Sequence, residues 1–143
     1  MQDLPAEGCA LDLAMAFAGN VPAGAGLSSS ASLEVVTAIF IEQFMKDMAF
    51  SSAESDNIVM ERAIRCQKAE NEWAHSPCGI MDQYVSSAAK KGHCMLIDCQ
   101  SLEVTQVPMK DSEDKPAILV TNSNVEHEIA DSEYGKRRHE CQD

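Results

Sequence analysis

The sequence predicts an α+β fold, on three observations. A glycine and serine block at residues 20–32 runs straight into an amphipathic stretch, which is how a loop opens a helix. Apolar residues alternate with small or polar ones over residues 9–17, the period of a strand with one buried face. Strands and helices then follow one another without strict alternation, which favours α+β over a doubly wound parallel sheet.

The elements follow in order. In the first strand, Cys9, Leu11, Leu13, Met15 and Phe17 face one way. Residues 19–26 form a glycine loop. Residues 28–46 form a helix, with Leu33, Val36, Phe40 and Phe44 recurring at helical spacing. After a polar loop, Asp56 or Asn57 caps a second helix that runs through Ile58, Ala63, Cys66 and Ala69 to about Trp73. Ser76-Pro77 breaks it, since the residue before proline avoids the helical region. A third helix begins near Gly79 and ends near Lys90, with Gly92 just past its end. Residues 93–98 and 104–107 read as strands joined by a turn. Residues 117–121 form a short apolar strand of the kind buried on both faces, and a last helix starts near Asp131.

Composition narrows the function. The 143 residues are 45% apolar, ample for the core of one domain or less. Seven aromatics are few, and eight Met do part of the filling. A net charge of −12 argues against nucleic acid or an anionic membrane as the main partner, yet leaves room for a phosphate substrate at a local site. No apolar run approaches the length of a membrane span, and residues 1–8 carry no signal-peptide pattern. Cys9, Cys66, Cys78, Cys94, Cys99 and Cys141 form no CxxC pair and stand at no zinc spacing from histidines. They read as reduced, mostly buried thiols of a cytoplasmic protein.

The glycine loop carries the strongest chemical signal. A helix N-terminus has unpaired amides and partial positive charge. Gly24 and Gly26 let the backbone turn tightly and approach a phosphate, and the serines add donors or ligate a hard cation. No Lys follows the second glycine, so this is not a Walker loop. The plainer alternative is a Gly-Ser turn with a capping serine. Asp82 in Cys78-Gly79-Ile80-Met81-Asp82-Gln83 starts a helix, where an anion is stabilised; taken alone, it merely supports that helix. Glu70 lies near a helix C-terminus, where a carboxylate is disfavoured unless a cation faces it; taken alone, it is a solvated Glu like Glu72. Thr121 to Val125 leave a strand's end, as ligand contacts and turns both do.

Together these segments resemble the GHMP small-molecule kinase family. PAGAGLSSSAS, residues 22–32, is similar to its phosphate-binding motif. CGIMDQ, GHCMLIDCQSLE and TNSNV, with the downstream SEY and RR, resemble its galactose branch in particular. The resemblance runs from about residue 8 and implies a partial GHMP kinase-type fold: residues 1–98 from the N-terminal domain and residues 99–143 opening the C-terminal one. The family's N-terminal signature and C-terminal glycine-rich motif are not in the sequence, so the implied object is a central slice, weakly active or inactive by itself.

The resemblance implies ATP-dependent phosphorylation of the anomeric hydroxyl of α-D-galactose, with Mg2+ as cofactor. By resemblance Asp82 is the catalytic carboxylate that takes the hydroxyl proton. Gly79 and Tyr134 contact the sugar alongside Asp82. Gly24, Gly26, Ser28 and Ser29 bind ATP phosphates, and Ser30 and Glu70 hold the metal. Family members are commonly monomers. A second implication, from relatives that have become regulators, is a non-catalytic galactose and ATP sensor.

Overall fold

The computed structural model describes residues 13–47, 57–109, 117–124, 136–137 and 140–141. The predicted serine-led helix is α1, Ser29–Asp47. It starts where the glycines end, and Ser32 N donates to Ser28 O at 3.0 Å to close its first turn. The second helix is α2, Ile58–Glu72; Asn57 stands at its N-cap without a capping side-chain bond. The third, α3, spans Met81–Ala88 and is shorter at both ends than its sequence suggests. Gln106 Nε2 donates to Ala88 O at 3.0 Å, which satisfies a carbonyl that the end of α3 leaves unpaired. Gly92, at φ 75°, then turns the chain into the sheet.

Strands β1 (His93–Ile97) and β2 (Val104–Pro108) pair antiparallel, His93 opposite Pro108 and Ile97 opposite Val104. Their turn is built on Asp98, whose Oδ1 accepts from the amides of Gln100 at 2.8 Å and Ser101 at 3.2 Å. Those two amides hold the Asp98 carboxyl below its usual range, because both favour the ionised form.

The three helices pack on one another through small residues. Ala31 of α1 and Ala63 of α2 are fully buried, with Val35 and Cys66 beside them. Small side chains let helix axes approach closely. A second cluster of Ala63, Ile80 and Tyr84 joins the helices to the hairpin through Met95, Ile97, Leu102 and Val104. Glu42 pins α1 to α2 from the rim: its carboxylate receives Arg62 Nε at 2.9 Å and Nη2 at 2.7 Å, and also pairs with Arg65. Charge-assisted bonds to a half-buried carboxylate are stronger than neutral ones.

Several expectations need correction. Residues 13–17 are not a strand; Leu13, Met15 and Phe17 are 42–53% exposed. Residues 117–121 are not one either, and Leu119 is 89% exposed. The reason is the same for both: a strand exists through ladder bonds to a neighbour, and among the described residues neither segment has one. Cys9 and Leu11 of the first predicted strand lie outside the described residues. On α1, Leu33, Val36 and Phe40 are exposed, and the helix turns the Ala31–Val35 side to its neighbours instead. Ala69 of α2 is exposed, and Glu70 takes the buried place. The cysteines are thiols without disulfides among the described residues, but they are not mostly buried: Cys94, Cys99 and Cys141 are exposed. Of the last predicted helix, Lys136, Arg137 and Glu140 are helical, and Cys141 N donates to Arg137 O at 3.2 Å.

Candidate functional site

The loop before α1 has the backbone its glycines foretell. Gly24 and Gly26 take φ of 69° and 72°, the left-handed region that a Cβ disfavours. Both are exposed. A Cβ built on Gly26 meets nothing within 4 Å, so backbone conformation and not crowding calls for glycine there. Ser28 holds φ 56° without being glycine, and such strain persists where the surroundings impose it. Ser29 opens α1 half-buried, and Ser30 is exposed in the first turn. That turn holds no acidic residue to compete with an incoming anion. Gly26→Ala is expected to cost either about 1–2 kcal/mol of stability through the kept φ or, if the loop relaxes, roughly tenfold in ATP affinity. Paired urea melts and ATP titrations check this.

Asp82 lies in the first turn of α3, half-buried. Among the described residues its carboxylate makes no hydrogen bond or ion pair, so it is not spent on structure. Gly79, just before α3, is exposed, with nothing within 4 Å of where a Cβ would stand. Tyr134 lies outside the described residues.

Glu70 is the reverse case. It is 5% exposed, and its Oε2 accepts from both Gln83 Nε2 and, at 3.4 Å, Cys78 Sγ. Gln83 Nε2 also donates to Glu34 Oε2 at 3.3 Å. Burial pushes the Glu34 carboxyl up; the Gln83 bond opposes this and the Glu70 charge adds to it. Burial, then the Glu70 carboxylate, push the Cys78 thiol up to about 11. Cys78 is therefore a protonated donor to Glu70. At pH 8 its thiolate fraction is about a hundredfold below that of an ordinary thiol of pKa 9.0. Mass-spectrometric mapping of iodoacetamide labelling is expected to find Cys94 and Cys99 modified long before Cys78. Equal rates would contradict that microenvironment.

Glu34 lies one turn after Ser30 on α1, so the two share a face. Gln83 ties Glu34 to Glu70 and directly follows Asp82. The fold thus gathers the opening turns of α1 and α3 around Glu70. Gln83, Glu34 and Cys78 carry no role in the sequence reading. Their signal was faint: Gln83 sits inside the CGIMDQ motif, and Glu34 stands four residues past Ser30.

Glu70 is buried with both donors on its Oε2, whereas Ser30 is exposed on the α1 face that Glu34 shares; a carboxylate and a hydroxyl are donor types that Mg2+ accepts. No group of three or more His, Cys, Asp or Glu side chains converges among the described residues. Mg2+ is commonly held by one or two carboxylates, phosphate oxygens and water, so such a group is not required.

A glycine-serine loop opens α1, an uncommitted carboxylate lies in the first turn of α3, and the two helices pack on each other. The sequence profile of the GHMP kinases N terminal domain matches residues 3–90. The chain belongs to the GHMP kinase family. It is 50% identical to human galactokinase over 124 residues, which is 87% of this chain and 29% of that protein. It is 48% identical, over the same shares, to the galactokinases of Bos taurus and Canis lupus familiaris. The chain therefore spans less than a third of the length of these relatives. Among the described residues, no helix is long and apolar enough to cross a membrane.

Proposed function

We propose that this chain carries the phosphate loop and the proton-accepting carboxylate of an ATP-dependent kinase acting on α-D-galactose. The carrying observation is the junction of α1 and α3. The loop that opens α1 and the Asp82 turn that opens α3 belong to one packed unit, joined by the Glu34–Gln83 bond. The similarity to galactokinases supplies the sugar.

Phosphoryl transfer asks for positioning and charge neutralisation more than for covalent chemistry. Gly24 and Gly26 let the backbone lie close to the ATP phosphates, and Ser28 and Ser29 donate to their oxygens. Ser30 and Glu70 would hold Mg2+, which when bound neutralises phosphate charge. Gly79 and Tyr134 contact the sugar. Asp82 orients the anomeric hydroxyl and takes its proton as the oxygen bonds to the γ-phosphorus. The bond to the β-phosphate oxygen breaks, giving galactose 1-phosphate and ADP. In this reading residues 1–98 belong to the N-terminal kinase domain and residues 99–143 open the next, with the hairpin joining them. The protein acts as a cytoplasmic monomer.

Calorimetric titration with MgATP, followed by galactose, tests the reading. Saturable nucleotide binding and a further heat with galactose, absent with glucose, are expected. A folded chain that binds neither would sink it.

A further inference from the structure

At the meeting point of the three helices stands a residue to which the proposed reaction gives no role. Gln83 is 0% exposed. Its Nε2 donates to Glu70 Oε2, to Glu34 Oε2 at 3.3 Å and to Cys78 Sγ at 3.6 Å. Among the described residues its Oε1 is buried without a hydrogen-bond partner. A buried amide ordinarily satisfies both of its ends. Here the donor end serves two carboxylates and a thiol, and the acceptor end serves nothing among the described residues. The reverse orientation would set Oε1 against carboxylate oxygens, which are acceptors too. The carboxylates thus dictate which way the amide lies, and the amide dictates where the Glu70 carboxylate sits.

We propose that Gln83 is a positioning residue: it holds Glu70 for its ion and sets Glu70 relative to Asp82, with Glu34 as its anchor on α1. The inference rests on the kinase reading, in which Glu70 is an ion ligand. Three features carry it. Gln83 adjoins Asp82 in the chain, so its placement constrains that carboxylate through one peptide unit. Glu34 lies one turn from Ser30, so the same amide reaches the α1 side of the site. The donor is neutral: it relieves the contact between two carboxylates without cancelling the charge that attracts a hard cation, as a Lys would. Outer partners of this kind orient metal-binding carboxylates, and their loss typically weakens the metal 10–100-fold.

The experiment is calorimetric titration of the full chain with ATP, with and without Mg2+. The proteins are wild type, Gln83→Met and Glu34→Ala, and urea melts report that each is folded. Gln83→Met is expected to weaken MgATP binding about tenfold or more while metal-free ATP binds as in the wild type. Glu34→Ala keeps the Gln83–Glu70 bond and loses the anchor, so it should show a smaller loss that likewise appears only with Mg2+. A folded Gln83→Met that binds MgATP like the wild type overturns the proposal, because the bridge is then structural alone. If Gln83→Met does not fold, Glu34→Ala decides, and no Mg2+-specific loss there overturns it. A wild-type chain indifferent to Mg2+ overturns the kinase reading and this inference together, and is told apart by appearing before any substitution.

Discussion

Replacing Asp82 with Asn lowers galactose-dependent ADP release by about two orders of magnitude or more, while the unfolding transition barely moves. The two halves of this expectation have separate causes. A carboxylate that accepts the hydroxyl proton contributes typically 10²–10⁴-fold, and an amide of the same shape cannot take that proton. Stability is spared because the Asp82 side chain makes no hydrogen bond or ion pair among the described residues. What Asn removes from the fold is the interaction of a charge with the first turn of α3, about 0.3–1 kcal/mol. Release from the wild-type chain is expected to be slow, so the assay is run to its detection limit, with MgATP affinity measured alongside. Unchanged affinity with lost turnover places Asp82 at the sugar hydroxyl. Equal ADP release from Asp82→Asn and wild type would remove it from the chemistry.

What the sequence shows and hides follows from the range of the interactions involved. The helix at Ser29–Asp47 and the hairpin of His93–Ile97 with Val104–Pro108 rest on neighbours in the chain: glycines before serines, and two short runs on either side of a turn. Both are legible for that reason. The positive φ at Gly24 and Gly26 is legible too, since spacing of glycines is a backbone signal. Residues 13–17 and 117–121 have the composition of strands, but composition does not provide a pairing partner. The apolar side of α1 fails as a guide because the helix packs by its small residues, Ala31 above all, and not by Leu33 or Phe40. In the site, Asp82 and Glu70 stand out by their places on helices. Gln83 and Glu34 do not, since their meaning is a bond across 49 residues that exists after three helices have packed.

Glu70 should give the second large effect, and two substitutions separate its structural share from its chemical one. Glu70→Ala removes a buried acceptor on which Gln83 and Cys78 both converge. Gln83, fully buried, then loses a partner that water does not replace, which costs about 1–3 kcal/mol in a urea melt. Glu70→Gln keeps the volume and keeps a carbonyl oxygen to accept from Gln83, so its melt should lie close to the wild type. It lacks the charge. If Glu70 holds the ion, Glu70→Gln loses at least the 10–100-fold in Mg2+-dependent ATP affinity that loss of an outer partner produces, with metal-free ATP affinity intact. If Glu70 serves only to bind α2 to α3, the melts are the same, and neither substitution changes the response to Mg2+. A carboxylate in the last turn of α2 faces the negative end of its own helix. The Gln83 and Cys78 donors offset part of that cost. In the kinase reading a bound cation would offset the rest, and the calorimeter reads whether one does.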